Sequence, residues 1–145
     1  MNKPTSINKP STESARADTI ARWLRDRYLA RRAFGPPPSH CQPATVQQAY
    51  AAQQVLVRLK TQGCGSVVGW KIALSNPAMQ AFCGLPEPIA GAVHAKQVVG
   101  GPGRVRAADY VRLLVEFEIA LELAGDLPAR PGGYRREEVA AAVSA

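Results

Sequence analysis

With 145 residues, 46% of them hydrophobic and 20% charged, the chain has the size and balance of a globular domain. These proportions exclude a collagen, a coiled coil and a largely disordered chain, and no apolar run reaches the ~18 residues that a transmembrane helix needs. The net charge of +7 admits a nucleic-acid or acidic-membrane partner, so its distribution matters.

Residues 1–40 carry eight basic and three acidic side chains, whereas residues 111–145 carry four and six. The basicity sits at the front and the last quarter is acidic. Carboxylates concentrated in one strand-like segment point to a cation more than to DNA. No DNA- or RNA-binding signature accompanies the arginines, and neither a nucleic-acid nor a membrane partner is expected. Three cysteines, Cys41, Cys64 and Cys83, are too few for a disulfide framework. They fit a reducing, cytoplasmic compartment.

Residues 1–14 are polar, with two Asn-Lys-Pro triplets, and read as a disordered tail. No apolar core follows the positive start, so a secretory signal is not expected. Residues 15–34 read as a helix, with Ile20, Trp23, Leu24 and Tyr28 on one face and arginines on the other. Gly35-Pro36-Pro37-Pro38 ends it. A second helix spans Val46 to Leu59, with Thr45 and Gln48 as a capping box and Gly63 as the stop. Domain organisation then reads as a tail over 1–14, a helical segment over 15–63 and a β-rich segment over 64–145.

Ser66 to Ala73 reads as a strand, with Val68, Trp70 and Ile72 on one face. Lys71 shares the other face with Val67, Gly69 and Ala73, which leaves room beside its ammonium. A lysine there is more commonly a surface side chain that packs only its stem. Ser75-Asn76-Pro77 opens a short helix that Gly84 closes, and Ile89 to Val93 forms a short strand. His94 reads as a hydrogen-bonded structural residue before a ligand or a base. The glycines 63, 65 and 69 precede a strand instead of opening a helix, so they form no phosphate cradle. The histidines and cysteines lack zinc spacing.

Tyr110 to Leu123 carries the clearest periodicity in the chain. Val111, Leu113, Val115, Phe117, Ile119, Leu121 and Leu123 alternate with Arg112, Leu114, Glu116, Glu118, Ala120 and Glu122. That pattern predicts a strand buried on one side. Glu116 and Glu118 then point the same way, about 6.6 Å apart at Cβ. Two such carboxylates repel unless a cation or proton lies between them, and hard oxygens suit Mg²⁺ or Mn²⁺. A solvated sheet face rich in glutamate carries the same pattern. Arg135 to Ala145 reads as a final helix.

The run Val68-Gly69-Trp70-Lys71-Ile72-Ala73-Leu74-Ser75-Asn76-Pro77-Ala78-Met79-Gln80, followed by Gly84-Leu85, Glu87-Pro88 and Gly91, resembles a conserved run of the 2-keto-4-pentenoate hydratases. So do Val115-Glu116-Phe117-Glu118-Ile119-Ala120 with Asp126-Leu127-Pro128, and Ala49-Tyr50 with Gln53-Gln54. The resemblance covers roughly residues 17 to 145. It extends to the wider fumarylacetoacetase superfamily, which includes the 4-oxalocrotonate decarboxylases.

The resemblance implies an α+β fold, with a helical segment followed by the first part of a mixed β-sheet domain. It implies Mg²⁺ or Mn²⁺ on Glu116 and Glu118, with Lys71 beside the substrate. The substrate would be a 2-hydroxy-dienoate or 2-oxo acid of aromatic-compound catabolism, and the reaction hydration. Decarboxylation and C–C hydrolysis are the neighbouring chemistries. Ala73 replaces the usual glycine, and Asn76-Pro77 replaces a Ser-Lys pair. No counterpart of the family's third acidic ligand occurs before Ala145, so the expectation is an N-terminal portion. A non-catalytic remnant, or a subunit docked on a homologue, is the alternative. A full-length form is expected to be a homo-oligomer.

Overall fold

The computed structural model describes residues 11–144, so most of the tail expected over 1–14 lies outside the described residues. The chain divides into two units, one running through Arg112 and the other from Leu113. The composition is mixed α and β, as the sequence leads one to expect, with a two-stranded antiparallel sheet.

Helix α1 spans Thr12–Leu29. It begins three residues before the expected start because Ser11 caps it, its hydroxyl accepting from the Ser14 amide at 3.2 Å. It also ends five residues early, well before the proline run. Arg32 donates its backbone N–H to the Arg27 carbonyl, and Arg31 donates to that of Tyr28. This pair of bonds is a Schellman cap, which closes a helix when the residue after the cap turns left-handed. Here that residue is Arg31, with φ of 50°. A non-glycine residue there costs about 1–2 kcal/mol. Its guanidinium reaches the Asp109 carboxylate at 3.5 Å, a contact that holds the turn.

Helix α2 spans Val46–Cys64. Thr45 caps it as expected, accepting from the Gln48 amide at 3.2 Å, while the Gln48 side chain reaches back one residue further, to the Ala44 amide. The helix continues through Gly63, and Gly65 is the stop. Gly65 has φ of 81°, and a Cβ on it would lie 3.2 Å from that of Ala95. Both conditions demand glycine. Helices α1 and α2 pack together with the 3₁₀ turn Ser39–Cys41. Their core is small: Ala17, Ile20, Cys41 and Ala52, with Leu24, Ala51 and Val55 against them.

Strand β1 (Val67–Ala73) pairs with strand β2 (Ile89–His94), with a bulge between Val67 and Gly69. Helix α3 (Pro77–Cys83) connects them, and its ends match the sequence. Asn76 caps it, accepting from the Met79 amide at 2.9 Å, and Gly84 ends it with φ of 66°.

The second unit departs furthest from its pattern. The expected strand over Tyr110–Leu123 is not formed; only Leu123 bridges, to Val143. A strand needs a neighbour to take its backbone donors and acceptors. Among the described residues of this unit, that neighbour is found at the end: Ala124 donates to the Ala142 carbonyl and Ser144 to that of Glu122, both at 2.8 Å. The apolar row is correspondingly uncovered, with Phe117 fully exposed and Ile119 91% exposed. The expected terminal helix is shorter for the same reason. Helix α4 covers Arg136–Ala141, and the residues after it leave to pair with 122–124. No helix among the described residues is long and apolar enough to cross a membrane.

Candidate functional site

Lys71 lies in the middle of β1, directly opposite Gly91 on β2. Alternation places Gly69 and Ala73 on its face and Trp70 and Ile72 on the other. A Cβ added at Gly69 or at Gly91 would meet no heavy atom within 4 Å. The strand pair thus sets two positions without side chains, Gly69 and Gly91, on the face that carries Lys71.

Three arrangements hold this strand pair in place, and of these the sequence disclosed only that His94 is a structural, hydrogen-bonded residue. The first is a seal on β2. The Ala90 amide donates to the Tyr50 hydroxyl at 2.9 Å, and the Gln53 side-chain amide donates to the Ala90 carbonyl at 2.8 Å. Tyr50 and Gln53 are one helical turn apart on α2 and reach the sheet together. They satisfy backbone groups that would otherwise face water or another strand. A polar tip on each of two residues at i and i+3, on an otherwise apolar helix face, is the signal that could have revealed this.

The second lies just after Lys71. Leu74 turns left-handed, with φ of 58°. The Gln80 side chain donates to the Leu74 carbonyl at 2.8 Å and fixes that turn. The third is at the opposite end. His94 is 1% exposed, and its Nδ1 lies 2.9 Å from the Gly65 carbonyl. A carbonyl only accepts, so Nδ1 carries the proton. Lys96 donates to the Gly63 carbonyl at 3.0 Å, covering the last turn of α2. His94 is a structural histidine, as expected.

Glu116 and Glu118 belong to the second unit, Lys71 to the first. Both glutamates are solvent-exposed and lie outside any regular strand. Among the described residues, no group of three or more histidine, cysteine or acidic side chains is arranged to hold a metal. The donor chemistry of the two glutamates nonetheless suits a hard divalent cation. Magnesium is commonly bound by one or two carboxylates, with water and substrate oxygens completing its shell.

The chain is 34% identical over 123 residues to a 2-keto-4-pentenoate hydratase of Paraburkholderia phymatum, a match covering 85% of this chain and 47% of the relative. It is also 34% identical over 111 residues to the enzyme of that name in Burkholderia vietnamiensis, covering 77% and 42%. The chain is a homologue of the 2-keto-4-pentenoate hydratases. A Dechloromonas aromatica relative, 2-keto-4-pentenoate hydratase 1, is 33% identical over 117 residues, covering 81% of this chain and 43% of that protein. The chain therefore spans about half the length of the curated relatives it matches. No protein-family model matches it, and no solved structure does.

Proposed function

We propose that the chain serves a hydratase-type lyase that adds water to a 2-hydroxypenta-2,4-dienoate type of substrate, giving a 4-hydroxy-2-oxo acid in aromatic-compound catabolism. The observation that carries this reading is the match to relatives bearing the hydratase name across 77% to 85% of the chain. The reading includes a mixed β-sheet domain of the fumarylacetoacetase type, a cytoplasmic location and a homo-oligomeric full-length form.

In this reading Glu116 and Glu118 hold Mg²⁺ or Mn²⁺. The ion, when bound, supplies positive charge against the enolate-like charge that develops at a 2-oxo group. Lys71 binds an anionic oxygen of the substrate through its ammonium, and the absence of side chains at Gly69 and Gly91 admits a flat dienoate beside it. Gln80 acts indirectly, by fixing the turn that follows Lys71.

A second reading is favoured by the uncovered apolar row in which Phe117 is fully exposed. In it the chain works docked on a homologous subunit that covers this row.

The test is turnover of 2-hydroxypenta-2,4-dienoate with Mg²⁺ or Mn²⁺, by the chain alone and mixed with a full-length homologue. The hydratase reading expects metal-dependent turnover that Glu116→Gln abolishes and Lys71→Ala lowers roughly 10²-fold. Turnover that survives Glu116→Gln and Glu118→Gln unchanged would refute the metal assignment. No turnover by the chain alone, with turnover in the mixture above that of the homologue by itself, selects the second reading.

A further inference from the structure

We propose that the first unit carries a binding site for a flat aromatic carboxylate, in the cleft between the end of α1 and the segment 106–112. This inference rests on no part of the hydratase reading. The cleft has a volume of about 430 Å³, within the range of small-molecule sites. Its walls include Tyr28, Phe34 and Tyr110, and its charged groups include Arg31, Arg32 and Arg112.

The charge in the cleft is unbalanced. Asp109 is the carboxylate in its lining, and Arg106 already grips that group with two bonds, of 3.0 and 2.9 Å. Arg31 approaches the same carboxylate only at 3.5 Å. Arg27, which also lines the cleft, is committed elsewhere: it donates to the Ala33 carbonyl at 2.7 Å and lies 4.9 Å from the Trp23 ring centre. Among the described residues, Arg32 and Arg112 take part in no ion pair. Burial pushes the Tyr28 hydroxyl above its usual range, with Cys64 adding to the effect, so the phenol brings no negative charge.

A helix C-terminus ordinarily repels anions through its carbonyls. Here the Schellman cap weakens that repulsion, because the Asp26, Arg27 and Tyr28 carbonyls all accept backbone N–H groups. The cap also aims the chain. Arg31 sits in its left-handed turn and donates to the Ala108 carbonyl at 3.4 Å, joining the two walls. The Arg27 bond to Ala33 fixes the stretch that presents Phe34.

The ligand chemistry follows from the walls. Guanidinium forks match a carboxylate, and aromatic side chains offer faces to a flat ring. Phe34 is 61% exposed and Tyr110 47%, so both rings are available to a ligand. A phosphate would use the forks but not the rings. An aromatic carboxylate uses both.

Benzoate is the probe, titrated into the isotopically labelled 145-residue chain and followed by amide NMR, with inorganic phosphate as comparison. The expected result is saturable shifts at residues 27–34 and 109–112, with binding weakened about tenfold in the Arg32→Gln/Arg112→Gln double variant. Phosphate should bind there more weakly than benzoate. Shifts elsewhere or no saturation, equal binding by the double variant, or tighter binding of phosphate would each overturn the proposal. Both arginines are exposed, and a circular dichroism spectrum checks that the fold is kept. The single variant Arg112→Gln repeats the test should the double variant lose structure, and benzoate binding undiminished in it would count against the site.

Discussion

Two stretches of this chain carry strand-like alternation, and they behave differently. In β1 the pattern becomes a paired strand with a defined register. In residues 113–121 a longer and stricter alternation stays outside any strand. The difference is in the neighbours. β1 is followed within twenty residues by β2, and helix α2 places Tyr50 and Gln53 against the far side of β2. Among the described residues of its own unit, Leu113 to Leu121 pairs with no strand. Alternation specifies which side chains share a face, but a strand exists only where something accepts its backbone.

The comparison breaks most visibly in the response to losing an apolar side chain. Ile20 is 3% exposed in the helical core, and Phe117 is fully exposed. Ile20→Ala should lower stability by about 2–4 kcal/mol, because it leaves a cavity between α1 and α2. Phe117→Ala, a larger truncation, should change stability by no more than about 0.5 kcal/mol. Denaturant melts of the two variants measure both. A comparable loss in each would mean that the 113–121 row is covered in solution.

The seal on β2 gives the next effect. Tyr50→Phe removes the hydroxyl that accepts from the Ala90 amide and keeps the ring. The expected cost is about 1 kcal/mol, and the Ala90 amide should exchange faster with solvent. Unchanged exchange at Ala90 would show that the hydroxyl does not protect it.

What could be read from the sequence follows the same division between local and non-local causes. Thr45, Asn76, Pro77 and Gly84 act within a turn or two of themselves, and the structure uses each of them as helix punctuation. The strand bearing Lys71 was legible because its alternation is local, whereas its pairing with Gly91 on β2 joins two segments and was not. The seal by Tyr50 and Gln53 joins residues about 40 positions apart, and periodicity cannot register it. The early end of α1 was hidden because its cap is an arginine in a glycine's conformation, held by a contact with distant Asp109. The glutamate pair was legible as a motif. Its strand was not, because pairing is a property of two segments.

The smallest expected effect belongs to the second unit, at the start of α4. Glu138 accepts from the Arg130 guanidinium at 2.6 Å and from the Arg135 backbone amide at 2.7 Å. Arg130 also lies 4.0 Å from the Tyr134 ring centre and donates to the Gly133 carbonyl, so one arginine ties the turn to the helix. The bond from Arg130, and after it the Arg135 amide, holds the Glu138 carboxyl below its usual range. A carboxylate depressed in the folded state stabilises that state above its unfolded pKa, roughly 4.3, and the gain disappears as pH falls through the lowered native value. Order in α4 should therefore be complete at neutral pH and decline only under acid conditions below the usual glutamate range. Glu138→Gln should remove that pH dependence and loosen α4 at every pH, since the neutral amide accepts more weakly from Arg130. Amide NMR of residues 136–141 across an acid titration reads both effects. A titration of these amides that is the same in the variant as in the parent chain would show that another group governs the end of this unit.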